Sequence, residues 1–409
     1  MSAESSLSLP PHVPASLYYD FDYVAAPVGL DEPHQELSRR LKAETPPIFY
    51  TPRNGGHWIV RKPALAVDMF RQPELFSSHP DHNATRNWRP LLLPVQADPP
   101  EHGEYRKVFG AFFAPGNMRR IEPDIRAQAV GLLDGIAPKG GCDFVADIGE
   151  IFPIGVFLGL VGAPASDRDQ LLDYARMFTR SPDIEVRSKG IHRLARYISG
   201  LFDARRAAPG TDIISKLVHS DFSGRPLTPD EEQGLGSLLF LAGLDTVKSV
   251  MSFIMLYLAR NPEQYQKLVA DPALIPGAVE ELLRVSGASL PERGVARDLV
   301  YEGVSMKAGE RVVFLLPLMS FDDDLNADPH AVDFARDVSQ HINFGAGDHR
   351  CAGSHLARIE TRVLLEEWIK RFPTFGVDPA KQPRMSAGTV WTPEYVPLVW
   401  PAAQMRDAT

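Results

Sequence analysis

One segment limits the fold more than any other. EQGLGSLLFLAGLDTVKSVMSFIMLYLAR, ending at Arg260, is apolar around nearly its whole circumference when wound as a helix. A helix of that kind has no face to give to water, so it must be enclosed on all sides and run through a core. Asp245 and Thr246 stand in its middle beside Gly243. A mid-helix threonine often bonds back to the carbonyl one turn earlier, and a local kink accounts for Thr246 alone. A buried aspartate is costly unless paired, so the Asp–Thr pair together asks for a further explanation.

The rest of the chain supplies elements to surround that helix. Residues 1 to about 45 are Pro-rich and irregular apart from a helical pattern in EPHQELSRRLKAE. PIFYTPRNGGHWIVRK predicts a hairpin turning at Asn54-Gly55-Gly56, where positive φ is available. PALAVDMFRQ opens a helix with proline in its first turn. Residues 76 to 100 hold no steady period and are expected to form a long loop, and 101 to 285 are almost all helical by pattern. DLVYEGVSMKAGERVVFLL alternates and is expected to turn at Ala308-Gly309, while GTVWTPEYVPLVW predicts further β-structure. The acidic run Asp322-Asp323-Asp324 is expected to be a solvated surface. With helices in the middle and β pieces from distant stretches that must pair, the expectation is one intertwined domain over 1–409, mainly α with small β-sheets.

Bulk properties exclude several classes. At 409 residues the chain could hold two or three domains or one large enzyme with a deep core. A formal net charge of -9 argues against binding along a nucleic-acid backbone. Cys142 and Cys351 are the only cysteines and lie far apart, so no zinc site or disulfide framework is expected. His79 and His82 have no third ligand nearby and read as loop histidines. No signal-peptide pattern opens the chain, and no apolar run is expected to reach the ~20 residues of a membrane span. These features predict a soluble, cytoplasmic protein.

FGAGDHRCAG, Phe344 to Gly353, places Cys351 among three glycines immediately before SHLARIETRVLLEEWIKRF, a helical pattern. The helix dipole and unpaired N–H groups at that end favour thiolate over thiol. Gly345, Gly347 and Gly353 let the backbone close around the sulfur. Such a thiolate suits a nucleophile, with His349 two residues away as a base, or an axial metal ligand. A buried structural cysteine is the commoner role of a lone Cys, and the flanking glycines count against it.

Phe344, Gly347, Cys351 and Gly353 stand at F-x-x-G-x-x-x-C-x-G, a long and specific spacing that resembles the haem-ligand loop of the cytochrome P450 haem-thiolate monooxygenases. The resemblance extends from GGHWIV to VPLVW and is nearest to the camphor-hydroxylating bacterial branch. It implies haem b, with Cys351 as the proximal thiolate donating electron density to iron. AGLDT resembles the family's oxygen-binding groove, which implies that Ala242 lies over the haem. By the same likeness Thr246 steadies the activated oxygen and Asp245 relays protons. His102, Arg106, Arg293 and His349 match propionate contacts. Glu281 and Arg284, with Arg336, resemble the structural Glu–Arg–Arg triad.

By family position the pocket lining includes Trp88, Leu238, Leu241, Val247, Ala288, Ser289, Thr389 and Val390, along with Ala242. Two departures bear on the substrate. Camphor binders carry a ketone-binding tyrosine in the loop before DPPE, and none stands between Phe76 and Glu104 here. Pro291 replaces a polar residue near one propionate. The resemblance therefore implies monooxygenation, with O₂, of a small apolar terpenoid such as a cineole-like ether or a norisoprenoid. It also implies electrons from NADH through a ferredoxin reductase and a 2Fe–2S ferredoxin, received by a monomer. Arg106, Lys107, Arg350 and Arg358 are candidates for the docking face. A peroxygenase of the same fold would usually lack the Asp–Thr pair. A non-catalytic haem sensor or carrier would need Cys351 but neither the pair nor an electron-transfer face.

Overall fold

The computed structural model describes residues 9–82, 91–181, 183–222, 224–336, 341–386 and 388–401. The helices that position the site are α1 (Pro33–Glu44), α2 (Pro63–Phe70), α3 (Glu101–Phe112), α4 (Glu122–Ile136), α5 (Phe152–Val161), α6 (Arg168–Arg180), α7 (Ile184–Ala207), α8 (Pro229–Arg260), α9 (Ile275–Val285) and α10 (Ser354–Arg371). The apolar segment is α8, 32 residues long, or about 48 Å at 1.5 Å per residue. It packs against α5, α6 and α7 and against the strand Thr392–Tyr395.

Both ends of α8 are written in the sequence. Thr228 and Glu231 form a capping box, with Pro229 at the first helical position. Glu231 also receives a bidentate pair from Arg225 and the Tyr105 hydroxyl of α3. Asn261-Pro262 stops the helix at the other end. By length and composition α8 could cross a membrane, contrary to the expectation that no run is long enough. Its apolar surface is instead taken up by the helices and strand around it, and 61% of its most apolar window is buried.

Five strands form the main sheet: β1 (Ile48–Thr51), β2 (His57–Val60), β3 (Phe76–Ser77), β4 (Glu292–Val295) and β5 (Arg311–Phe314), in the order β1-β2-β5-β4-β3. The β1–β2 hairpin forms as expected, with Asn54, Gly55 and Gly56 all at positive φ. Four expectations need correction. The later hairpin turns at Glu302-Gly303, pairing Leu299–Tyr301 with Val304–Met306, whereas Ala308-Gly309 is a corner that sends β5 into the main sheet. Glu302 and Gly303 both adopt positive φ, the conformation a two-residue hairpin turn requires. The stretch 76 to 100 contributes the short edge strand β3. Within the helical middle, Gly141–Asp143 is a strand that pairs with Pro397–Val399. Such short pieces carry no period of their own and exist because a distant partner supplies their hydrogen bonds. Asp322, Asp323 and Asp324 are not merely solvated, since Lys62 and Lys42 pair with them.

A thiolate loop, a cationic cluster and an opened core helix

The cysteine loop is closed by its own backbone. Cys351 N–H donates to the Phe344 carbonyl at 2.8 Å, and Gly345 N–H donates to Ile342 at the same distance. Gly345 and Gly347 sit at φ +70 and +67. A Cβ on Gly347 would stand 2.8 Å from the Phe70 carbonyl oxygen, so the loop lies directly on the end of α2. Gly353 caps α10, and its N–H donates to the Cys351 sulfur. Neighbouring groups surround the sulfur, yet the residue keeps accessible surface, so it can be reached from one side. Burial pushes the thiol pKa up, against the Gly353 N–H and the guanidinium groups of Arg106, Arg350 and Arg358.

Next to the sulfur the fold gathers basic groups from three directions. Arg106 of α3 donates to the Arg350 carbonyl. The rings of His102, also on α3, and His349 lie 4.1 Å apart, and His349 Nε2 is 3.2 Å from the Ser78 hydroxyl. Arg293 of β4 lies over the Phe70 ring at 5.0 Å and donates to the Glu292 carbonyl. Burial first, then Arg293, His102 and Arg106, drives the His349 pKa down to about 2. The His102 pKa is lowered by burial and then by Arg106, and its Nε2 is buried without a hydrogen-bond partner among the described residues. Clustered groups that oppose one another's protonation, with one orphaned imidazole nitrogen, suit a dianion. A soft sulfur ligand beside such a cluster is the donor set for an iron porphyrin with two carboxylates. The residues present fit haem.

Along α8, Leu238, Leu241, Thr246 and Val247 are half-buried, and Ala242 is exposed although it lies midway along a core helix. Leu238, Ala242 and Thr246 follow i, i+4 spacing, so the accessible surface forms one stripe along the helix. Thr246 Oγ1 donates to the Ala242 carbonyl at 2.9 Å. Asp245 is buried and its Oδ1 lies 2.8 Å from Lys248 Nζ. Lys248, itself only 2% exposed, was not singled out from the sequence; its i, i+3 spacing from Asp245 was the available signal.

Of the other expected pocket residues, Ser289 and Val390 form an antiparallel bridge, and Thr389 is exposed beside them. Ala288 is covered, its carbonyl engaged by Trp391 N–H at 3.0 Å, so it backs the wall rather than lining it. Trp88 lies outside the described residues.

Glu281 and Arg284 are fully buried and joined by two hydrogen bonds of 2.7 and 2.8 Å. Arg336 reaches the same carboxylate at 3.1 Å, and Arg284 also donates to the carbonyls of Ser320, Pro329 and Ala331. The triad thus ties α9 to the segment leading toward the cysteine loop. Among the basic residues expected to face a partner, Lys107 and Arg350 are exposed. Arg358 is committed to Glu280 at 2.5 and 2.9 Å and stacks on Phe344, which removes it from that role.

Comparison with known proteins extends these observations. The sequence model of the cytochrome P450 family matches residues 203–397. A Sinorhizobium fredii protein described as a probable cytochrome P450 127A1 is 32% identical over 404 residues, covering 96% of this chain and 97% of the relative. A steroid C26-monooxygenase of Mycolicibacterium smegmatis is 30% identical, with 93% and 96% covered. The crystal structure of CYP101J2 superposes with a TM-score of 0.87 at 34% identity, covering 96% of this chain and all of that one.

Proposed function

The chain belongs to the cytochrome P450 family and is a monooxygenase that uses haem b, and on that premise we propose that it hydroxylates a small apolar terpenoid. The observation that carries the reading is the Leu238–Ala242–Thr246 stripe, apolar along its length and ending at a hydroxyl with a buried carboxylate next to it. Haem, when bound, supplies the binding and reductive activation of O₂. The protein's own residues do the rest. Cys351 ligates the iron, with the Gly353 N–H tuning the sulfur. His102, Arg106, Arg293 and His349 hold the propionates. Thr246 offers its hydroxyl at the stripe while its proton is held by the Ala242 carbonyl, and Asp245 brings protons from outside the cleft.

Leu238, Leu241, Val247, Ser289 and Val390 give a mostly apolar wall, where a hydrocarbon body gains ~25 cal/mol per Å² buried. The relative named as a steroid C26-monooxygenase supports an isoprenoid body and favours, as a second reading, a larger one. The Asp245–Thr246 pair favours a reductase-driven enzyme over a peroxygenase or a haem carrier. Electrons come from NADH through a ferredoxin reductase and a 2Fe–2S ferredoxin that docks on the face bearing Lys107 and Arg350. The protein works as a cytoplasmic monomer.

A panel of monoterpenoids, norisoprenoids, steroids, aromatic acids and fatty acids tests the substrate class through the haem spin-state shift. Terpenoids should give the largest shift. A stronger response to a fatty acid or a benzoate overturns the assignment, and a stronger response to steroids moves it to the larger isoprenoids. NADH-dependent oxygen uptake with and without ferredoxin separates the monooxygenase from the peroxygenase and the carrier.

A further inference from the structure

Lys248 is a buried lysine placed one helical turn beyond the proposed proton donor, and no step of the proposed reaction uses it. Its ammonium lies 2.8 Å from Asp245 Oδ1 and 3.6 Å from Glu150 Oε1. Glu150 in turn pairs with Arg176 of α6, whose side chain is 45% exposed. The charges therefore alternate from the surface inward: Arg176, Glu150, Lys248, Asp245.

The enclosure of Lys248 is built. A Cβ on Gly149 would stand 3.3 Å from Lys248 Cγ and 3.2 Å from Ser252 Oγ, so the π-turn Val145–Gly149 lies directly on the lysine stem. Ser252 Oγ donates to the Lys248 carbonyl at 2.8 Å, and Ser249 Oγ to that of Asp245 at 2.7 Å. A lysine is rarely so fully buried unless paired. The Asp245–Lys248 pair as a whole could have been replaced here by apolar residues at little cost to folding, which leaves its charges to be explained.

We infer that Lys248 is a positioning residue for oxygen activation: its ammonium holds the Asp245 carboxylate at the edge of the Thr246 stripe, and Glu150 and Arg176 connect that hold to α6. The inference rests on the proton-relay reading of Asp245. On this account the carboxylate swings between the ammonium and the cleft, taking up a proton on the outer side and releasing it toward the Thr246 hydroxyl. No bond other than O–H is made or broken. Lys248 keeps its proton throughout and acts by charge and reach.

The test compares Asp245→Asn, Lys248→Met, Lys248→Arg and the Asp245→Asn/Lys248→Met double variant as holoenzymes, with two readouts. The first is thermal unfolding. Each single change removes the same Asp245–Lys248 attraction, so the double variant should lose clearly less melting temperature than the sum of the singles. Additive losses overturn the pairing. The second is turnover in H₂O and D₂O at saturating substrate. Lys248→Met should slow turnover roughly tenfold, short of the 10²–10⁴-fold that a positioned acid contributes. The solvent isotope effect should rise, the substrate-induced spin shift should be unchanged, and Lys248→Arg should recover most of the rate. A slowed Lys248→Met enzyme with the parent isotope effect reduces Lys248 to a packing role and overturns the inference. If Asp245→Asn itself leaves rate and isotope effect unchanged, the relay reading fails instead, and the unfolding cycle still reports on the pair.

Discussion

The imidazole rings of His102 and His349 face each other at 4.1 Å, one carried by α3 and the other by the cysteine loop, 247 residues apart in the chain. Among the described residues neither ring has a carboxylate hydrogen-bonded to it; burial first, and then Arg106 and Arg293, lower the proton affinity of both, and His102 adds to the effect on His349. Anionic propionates held there, as proposed, would reverse that cost on binding.

His349→Ala should therefore weaken haem retention more than it weakens the fold. Transfer of haem to a scavenging apoprotein should speed up several-fold, with the far-UV helical signal unchanged. An unaltered transfer rate would count against the propionate assignment.

Replacing Cys351 by His should leave a folded haem protein whose reduced carbon-monoxide complex lacks the red-shifted Soret band of thiolate ligation. An unchanged spectrum removes Cys351 as the ligand.

For Thr246→Ala, NADH oxidation should continue while product per NADH drops and hydrogen peroxide appears in its place. The back-bond to Ala242 is lost as well, but a helix gains rather than loses propensity from Thr to Ala, so the melting temperature should hold. Unchanged coupling would leave Thr246 with a local structural role only.

Glu281 carries two guanidinium groups at full burial. Removing one partner of a buried ion pair costs about 3–5 kcal/mol, and Glu281→Gln should lower the melting temperature by many degrees and reduce haem incorporation. Thermal scans with haem quantification check both. Loss of stability without loss of haem would confine the triad to the α9 side of the fold.

His34 is fully buried, donates to the Gly287 carbonyl at 2.6 Å, and has its pKa lowered from 6.5 to about 4 by burial. A histidine with a lowered folded pKa is neutral in the native protein while the unfolded chain binds the proton. Its contribution is thus complete above pH ~6.5 and declines as pH falls toward 4. The loss at pH 5 is on the order of 2 kcal/mol. His34→Gln should flatten the fall in melting temperature between pH 7 and 5, and an unchanged slope would contradict the assignment.

Much of this was legible in the residues themselves because it is local. The all-round apolarity of α8 required enclosure, the N-G-G turn required positive φ, and the glycine spacing around Cys351 required a close backbone. Each follows from sterics or hydrophobic burial within about 30 residues. What the tertiary structure decided depends on what arrives from elsewhere. The edge strands Phe76–Ser77 and Gly141–Asp143 exist only by pairing with distant strands. Arg358, basic and half-exposed, is drawn out of the docking face by Glu280 on α9. Lys248, an ordinary charge in a helical pattern, becomes a buried partner of Asp245 only because the Val145–Gly149 turn closes over it. Desolvation and long-range pairing are properties of the assembled core, and no window of sequence contains them.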